Sequence, residues 1–314
     1  MGVDFGGTNT RVALVSQTGR IVDVQHLPSR AVGRPGTFVE ALSRSIHALA
    51  QTVRLRPAQL RGIGIGAPGP VDVSRGVVYS MVNVPGWHDV PLQRRLQHRL
   101  GCPCLVDNDV NVFTLGEWRL GAGRGAEALV GVTLGTGVGG GLVLGGRLYH
   151  GCRGGAGELG HMAVNPSGRR CGCGARGCLE AQVGTAAIVS MGRQALRRSR
   201  TLRALARGPG GTLTPRLISC AAEQGDASAR AIWAEVGRWL GVGLGNVVNL
   251  LNPDRLIIGG GVANAWRWFA PSMHVSLRAQ AMAVHARSVR IRRAQLGNFA
   301  GILGAAVLVW EEIG

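Results

Sequence analysis

The stretches Gly2-Val-Asp-Phe-Gly-Gly-Thr-Asn-Thr-Arg-Val-Ala-Leu-Val15 and Leu129-Val-Gly-Val-Thr-Leu-Gly-Thr-Gly-Val-Gly-Gly-Gly-Leu-Val-Leu144 repeat one pattern. Each reads as an apolar strand, a glycine turn and a second strand. In the first half a third strand is expected at 21–26, so a three-strand meander opens the chain. A helix follows over 36–54, where Phe38, Val39, Leu42, Ile46, Leu49 and Val53 recur at helical spacing. Residues 61–67 form a strand, 91–100 a helix, and 102–106 a strand that delivers Asp107-Asn108-Asp109 to a helix starting near Asn111. The second half begins with a strand over 129–134, a glycine turn over 135–141 and strands at 142–144 and about 148–151. Beyond a cysteine-bearing loop at 165–180, helices are predicted at about 182–207, 214–224 and 228–251. A strand over 255–258 runs into Gly259-Gly260-Gly261, and a helix at 265–282, a strand at 288–293 and a helix at 300–312 close the chain. Alternation of this kind means α/β layers built on a mainly parallel sheet with an antiparallel edge. Two similar lobes facing each other would leave a cleft, where ligands bind.

The chain's 314 residues suggest about two domains. With 46% apolar and 17% charged residues it is not a disordered chain. Its 51 glycines follow no three-residue period, which excludes collagen. All 35 basic residues are arginine against 17 acidic ones, a formal charge of +18. Such a charge raises the question of nucleic acid, but the arginines are spread over most segments. The dense runs, at 193–207 and 287–293, are not interleaved with aromatics, so nucleic acid is not the expected partner. The uncharged stretch 129–146 has the length of a short membrane span, yet eight of its eighteen residues are glycine, so no membrane association is expected. Asp4 follows Met1 too closely for a signal peptide, and a cytoplasmic protein is expected. Seven cysteines without an export signal point to metal ligation before disulfides.

Three features carry chemistry. Backbone N–H groups in the turns Asp4-Phe5-Gly6-Gly7-Thr8-Asn9 and Gly135-Thr136-Gly137-Val138-Gly139-Gly140-Gly141 can cradle phosphate oxygens, with Thr8 and Thr136 adding hydroxyls, although hairpin turns alone would also call for glycine. Asp4, at the end of a buried strand, needs a cation, and Mg²⁺ on nucleotide phosphates would supply one. Gly259, Gly260 and Gly261 allow a flat group to lie against a strand's C-terminal end, or simply form a tight turn. His161, Cys171, Cys173 and Cys178 fall within 18 residues and make a tetrahedral zinc set with no open position, hence a structural zinc. Glu158 and Glu180 flank this loop and suit a polyhydroxyl ligand. Cys102, Cys104, Cys152 and Cys220 read as small apolar residues. Trp266, Trp268 and Phe269 suit either core packing or an interface.

Together these residues resemble the ROK family of sugar kinases within the actin-like, hexokinase-type superfamily. The resemblance rests on Asp4-Phe-Gly-Gly-Thr-Asn9, Asn108-Asp109-Val-Asn111, Glu158-Leu-Gly-His161 and Cys171-Gly-Cys-Gly-Ala-Arg-Gly-Cys178-Leu-Glu180. Ala67-Pro-Gly-Pro-Val71 and Asn83-Val-Pro-Gly-Trp87 also fit. It implies two actin-like, ribonuclease H-like lobes with mixed sheets flanking an interlobe cleft. The N-terminal lobe would span 1–112 with helix 300–314 packed back on it. The C-terminal lobe would span 113–299 and carry the zinc loop 161–180. The implied reaction is ATP-dependent phosphorylation of a hexose, D-glucose to glucose 6-phosphate first. Asp109 is the implied base, its alternative role being a helix N-cap. Asn83, Asn108, Asp109, Glu158, His161 and Glu180 are the implied sugar contacts. Asp4, Gly6, Gly7, Thr8, Asn9, Gly135, Thr136 and Gly137 would hold the phosphates of ATP and Mg²⁺, and Gly259, Gly260 and Gly261 the adenosine. His161, Cys171, Cys173 and Cys178 would hold Zn²⁺, His161 also meeting the sugar through its other ring nitrogen. Members of the family are usually homodimers or homotetramers. The alternatives are a kinase for N-acetylmannosamine, fructose or allose, a polyphosphate-dependent glucokinase, and a non-catalytic sugar-sensing regulator.

Overall fold

A computed structural model of the chain describes residues 1–6, 9–28, 33–81, 86–208 and 211–313. In chain order the first half holds β1 (Gly2–Phe5), β2 (Asn9–Val15), β3 (Ile21–Pro28), α1 (Pro35–Thr52), β4 (Ile63–Ala67), β5 (Val71–Asp72), β6 (Val77–Ser80) and β7 (His88–Val90). It continues with α2 (Leu92–Leu100), β8 (Cys104–Asn108) and α3 (Asp109–Leu120). The second half holds β9 (Leu129–Leu134), β10 (Val138–Leu144), β11 (Arg147–Leu148), α4 (Leu179–Val183), α5 (Thr185–Ala195), α6 (Arg200–Arg207), α7 (Pro215–Glu223) and α8 (Ala227–Leu251). β12 (Arg255–Gly259), α9 (Trp266–Gln280), α10 (Ala283–Ser288), β13 (Arg290–Arg293) and α11 (Ala300–Ile313) complete it.

Two five-stranded sheets share one strand order, β3-β2-β1-β4-β8 and β11-β10-β9-β12-β13. In the first, β1 and β2 pair antiparallel, as do β2 and β3, while β1–β4 and β4–β8 are parallel. The chain divides into two compact units: Met1–Gly131 with Gly141–Gly157 and Ala294–Gly314, and Val132–Gly140 with Glu158–Arg293. The boundary expected at 112/113 falls inside α3, a continuous hydrogen-bonded helix that cannot be divided there.

In the first unit, strand alternation decides what each face receives. Val3, Phe5, Ile63 and Ile65 point to one side and join Phe38, Leu42, Ile46 and Leu49 of α1 in a buried core. Phe5 stacks on Phe38 at 4.0 Å between ring centroids, and Trp87 closes the cluster at 5.1 Å from Phe5. The other side carries Gly2, Gly64 and Gly66, where α11 and α3 come so close that a Cβ would strike Ile302 and Ala305 backbone or Val112. Glycine in these strands therefore serves close backbone approach. The carboxylate of Glu117 in α3 is fully buried and accepts three backbone N–H groups: Ala122 at 2.9 Å, Gln295 at 3.0 Å and Leu296 at 2.7 Å. It thereby fastens the segment leading into α11. In the second unit, Gly237, Gly241 and Gly245 of α8 face α9, and Cβ atoms there would meet Phe269, Met273 and Gln280.

Several expectations change. The helix predicted over 182–207 is three helices, broken at Gly184 and at Ser199, which caps α6 by accepting the Leu202 amide at 2.9 Å. Glycines 139–141 lie within β10 rather than in the turn, because a Cβ at Gly141 would strike Thr114. The antiparallel β5-β6-β7 sheet and α10 have too few residues for a readable period. Phe269 is buried, whereas Cys152 is exposed. Among the described residues no helix is long and apolar enough to cross a membrane.

Glu117→Ala removes the carboxylate that three backbone amides donate to, and a loss of about 3 kcal/mol or more is expected in urea denaturation. Glu40→Ala, which removes an exposed pair with Arg99 at 3.6 Å, is expected to cost under about 1 kcal/mol. Equal losses would contradict the anchoring role of Glu117.

Candidate active site

The first unit presents its chemistry where β8 meets α3. Asn108 caps the helix, its Oδ1 accepting the Val110 and Asn111 amides at 2.9 and 3.4 Å, and its Nδ2 donates to Gly69 O at 3.1 Å. The cap is thus Asn108 and not Asp109, which only shares the Val110 amide at 3.0 Å. Asp109 is half-buried by surface but densely enclosed, and its pKa is pushed up to about 7. Burial is the main cause and the Asp4 carboxylate the second, partly opposed by the hydrogen bonds at the helix start.

Asp4 does meet a cation, and it is Arg11: Nη2 lies 2.5 Å from Asp4 Oδ2, while Nη1 donates to Asn298 O. Burial raises the Asp4 pKa and the guanidinium pulls it back. Arg11 is thus the cation that meets Asp4 among the described residues. Strand pairing explains this: Asp4 and Arg11 are register partners of the β1–β2 hairpin. The Gly6 amide donates to Asn9 O at 3.2 Å and closes that hairpin. Gly7, Thr8 and Asn83 lie outside the described residues.

The second unit holds the other turn and the cysteine loop. Gly135 N donates to Gly137 O at 2.9 Å, and Gly135 O accepts both the amide and the hydroxyl of Thr185, at 3.0 and 2.7 Å. The turn is thus docked on the N-terminus of α5, an electropositive helix end. A Cβ at Gly135 would meet nothing within 4 Å, so the space before it is open. Thr136 lines one cavity with Arg169 and Arg170 of the cysteine loop. Gly260 has φ +85° and packs on the Leu134 backbone, a position that only glycine fills without strain, and Gly261 faces open space.

His161, Cys171, Cys173 and Cys178 converge, their ligand atoms all within 4.8 Å of one another. Cys171 Sγ is 3.6 Å from His161 Nδ1, and Cys173 Sγ is 3.7 Å from Cys178 Sγ. Tetrahedral zinc with ordinary bond lengths separates its ligands by about 3.3–3.8 Å, so this donor set fits the ion. Because Nδ1 faces the cysteines, Nε2 of His161 is left towards Glu158, 3.8 Å from Oε2. Glu158 is exposed. Glu180 is engaged: Oε2 accepts the Val138 amide at 3.0 Å, and Oε1 lies 3.7 Å from Cys171 Sγ. It links the cysteine loop to the glycine turn, a tie that sequence spacing did not show. Sequence reasoning assigned Arg11, Thr185 and His150 no role, and Asp107 only its place at a strand end, because no motif spacing marks them.

The duplicated sheet order defines an α/β protein of the actin-like class. The ROK family profile matches residues 1–312, and the chain belongs to the ROK family. It is 36% identical to the glucokinase of Thermotoga maritima, over 100% of this chain and 98% of that protein. It is 35% identical to the glucokinase of Halalkalibacterium halodurans, over 99% of this chain and 95% of that one. The crystal structure of a ROK family glucokinase from Streptomyces griseus in complex with glucose and AMPPNP superposes with a TM-score of 0.83 at 33% identity, covering 99% of this chain and 98% of that one.

Freshly purified protein is expected to contain one zinc per chain by elemental analysis. Chelation is expected to lower its melting temperature, because binding energy of such a site is folding energy. Cys178→Ser should remove the metal; full zinc content in that variant would contradict the ligand assignment.

Proposed function

We propose that this chain transfers the terminal phosphoryl group of ATP to a hydroxyl of a hexose, D-glucose before other sugars, with Asp109 as general base. The observation that carries the reading is Asp109 itself: a half-buried carboxylate at a strand-to-helix corner, titrating near neutrality, in a chain similar over its whole length to glucokinases. A carboxylate whose pKa lies near the working pH is a far better proton acceptor than an ordinary one and is still substantially ionised.

Asp109 takes the hydroxyl proton as the sugar oxygen bonds to phosphorus and the bond from phosphorus to the bridging oxygen of ADP breaks. The proton later returns to solvent. ATP arrives as its magnesium complex, so Mg²⁺ belongs to the substrate. Gly135, Thr136 and Gly137 offer backbone and hydroxyl donors to the phosphates, with Arg169 and Arg170 lining the same cavity as Thr136. Gly260 and Gly261 offer bare backbone to the nucleoside. Glu158 and the Nε2 edge of His161 suit sugar hydroxyls, and His161, Cys171, Cys173 and Cys178 would hold a zinc that keeps this loop in shape. Asn108 caps α3, donates to Gly69 and hydrogen-bonds Asp109, which places its amide beside the base and suits a sugar hydroxyl. Glu180 acts mainly by supporting the glycine turn.

ADP release with MgATP across glucose, mannose, fructose, N-acetylmannosamine and N-acetylglucosamine tests the reading, with glucose expected to be preferred. Asp109→Asn is expected to lower kcat by about 10²–10⁴-fold with sugar and ATP affinity nearly unchanged. Near-wild-type turnover would remove Asp109 from the role of base.

The pH profile gives a second check. Only the ionised carboxylate accepts a proton, so kcat/KM should rise with pH to a plateau above about 7 and fall as pH drops below it. A limb near the ordinary carboxylate value would contradict the raised pKa.

A further inference from the structure

Asp107 is a fully buried carboxylate that the proposed chemistry does not use. Its Oδ1 accepts the Asn108 amide at 2.6 Å and the side-chain amide of Asn111 at 2.8 Å. Its Oδ2 lies 2.7 Å from Nε2 of His150, in the segment after β11. All these residues belong to the first unit. Asp107 thus gathers three donors, two of them from the residues on either side of Asp109 in the Asn108–Asn111 corner. His150 is the only one of the three donors that comes from outside it. Its ring is partly exposed, and its pKa is raised, chiefly by the hydrogen bond to Asp107.

A buried carboxylate is tolerated where its oxygens are satisfied and its charge is paired. Without His150, Oδ2 would lose its donor and Asp107 would have reason to reorient or to draw in water. Either change would release the Asn108 amide and the Asn111 side chain, whose Oδ1 is already buried without a partner among the described residues. The corner that aims Asp109 would then loosen.

We propose that His150 is a positioning residue for phosphoryl transfer, acting through Asp107 to fix the β8–α3 corner that carries Asp109. It touches neither substrate nor the reacting atoms in this role. The inference rests on the reading of Asp109 as base. It identifies a residue far along the chain, 43 positions from Asp107, as part of the machinery that orients this base.

The test compares His150→Phe, which keeps a ring but has no donor, with His150→Gln, whose amide N–H can reach Asp107. Active protein is counted by titration with a non-hydrolysable ATP analogue, so that kcat refers to folded molecules only. His150→Phe is expected to lower kcat about 10- to 100-fold, the scale of a small misplacement of a reacting group, with KM for ATP within twofold of wild type. His150→Gln is expected to recover kcat to within about threefold, as one retained hydrogen bond predicts. If His150→Phe is not recovered folded, His150→Asn, polar but too short to reach Asp107, takes its place with the same expectation. Wild-type kcat in the donor-less variant, whatever its melting temperature, would overturn the proposal. So would His150→Gln as impaired as His150→Phe. Asp109→Asn run alongside separates the two readings: if it keeps turnover, the base assignment fails, whereas if it is silent and the His150 variants are unimpaired, only the positioning role fails.

Discussion

The buried carboxylate of Glu117 is the constraint on which the first unit depends. A charge removed from water at that depth is tolerable only when its oxygens are saturated, and three backbone amides do this. Two of them come from the segment that leads into α11, so the end of the chain is tied to α3 before α11 begins. α11 then lies against β1 and β4, which their glycines leave bare on that side. Gly116 and Gly304 let α3 and α11 approach to backbone contact. The result is a close-packed wall behind β1, β4 and β8, strands that carry Asp4 and Asp107 and lead into Asp109 at the start of α3.

Against that wall, three carboxylates are handled in three ways. Asp4 is paired with Arg11 and Asp107 with His150, whereas Asp109 has no cation partner among the described residues. The unpaired one acquires the pKa near neutrality. Burial raises the pKa of Asp4 and of Asp109, and a neighbouring cation pulls Asp4 back. The chemistry proposed for Asp109 therefore depends on what was withheld from it as much as on where it sits. The second unit follows a different logic. Its glycine turn, the start of α5 and the cysteine loop are linked by Thr185 and Glu180, so that the loop and the turn behave as one assembly.

Much of this was legible in the sequence for reasons that can be named. Strand β9 was read with its observed limits because apolar residues run from Leu129 to Leu134 between a polar stretch and a glycine turn. The cysteine loop was legible because His161, Cys171, Cys173 and Cys178 lie close in sequence as well as in space. The three-helix break within 182–207 was not, because Ser199 and Gly184 act as punctuation only once α5 and α6 turn to pack on different neighbours. The glycines of β10 were read as turn because their apparent flexibility hides a packing reason, the proximity of Thr114.

By itself the sequence determined the two repeated strand–turn–strand openings, the α/β layering, the cluster of one histidine and three cysteines and the carboxylates at the strand end, since each depends on residues near one another along the chain. Only the tertiary structure decided which partner each charge receives. Asp107 reaches His150, Glu117 reaches residues 295 and 296, and Glu180 reaches Val138, across separations of 43, 178 or 179, and 42 residues. No local pattern encodes such pairings, because they arise where strands and helices distant in sequence are brought together by packing, and these pairings hold in place the segments around the groups the sequence had already named.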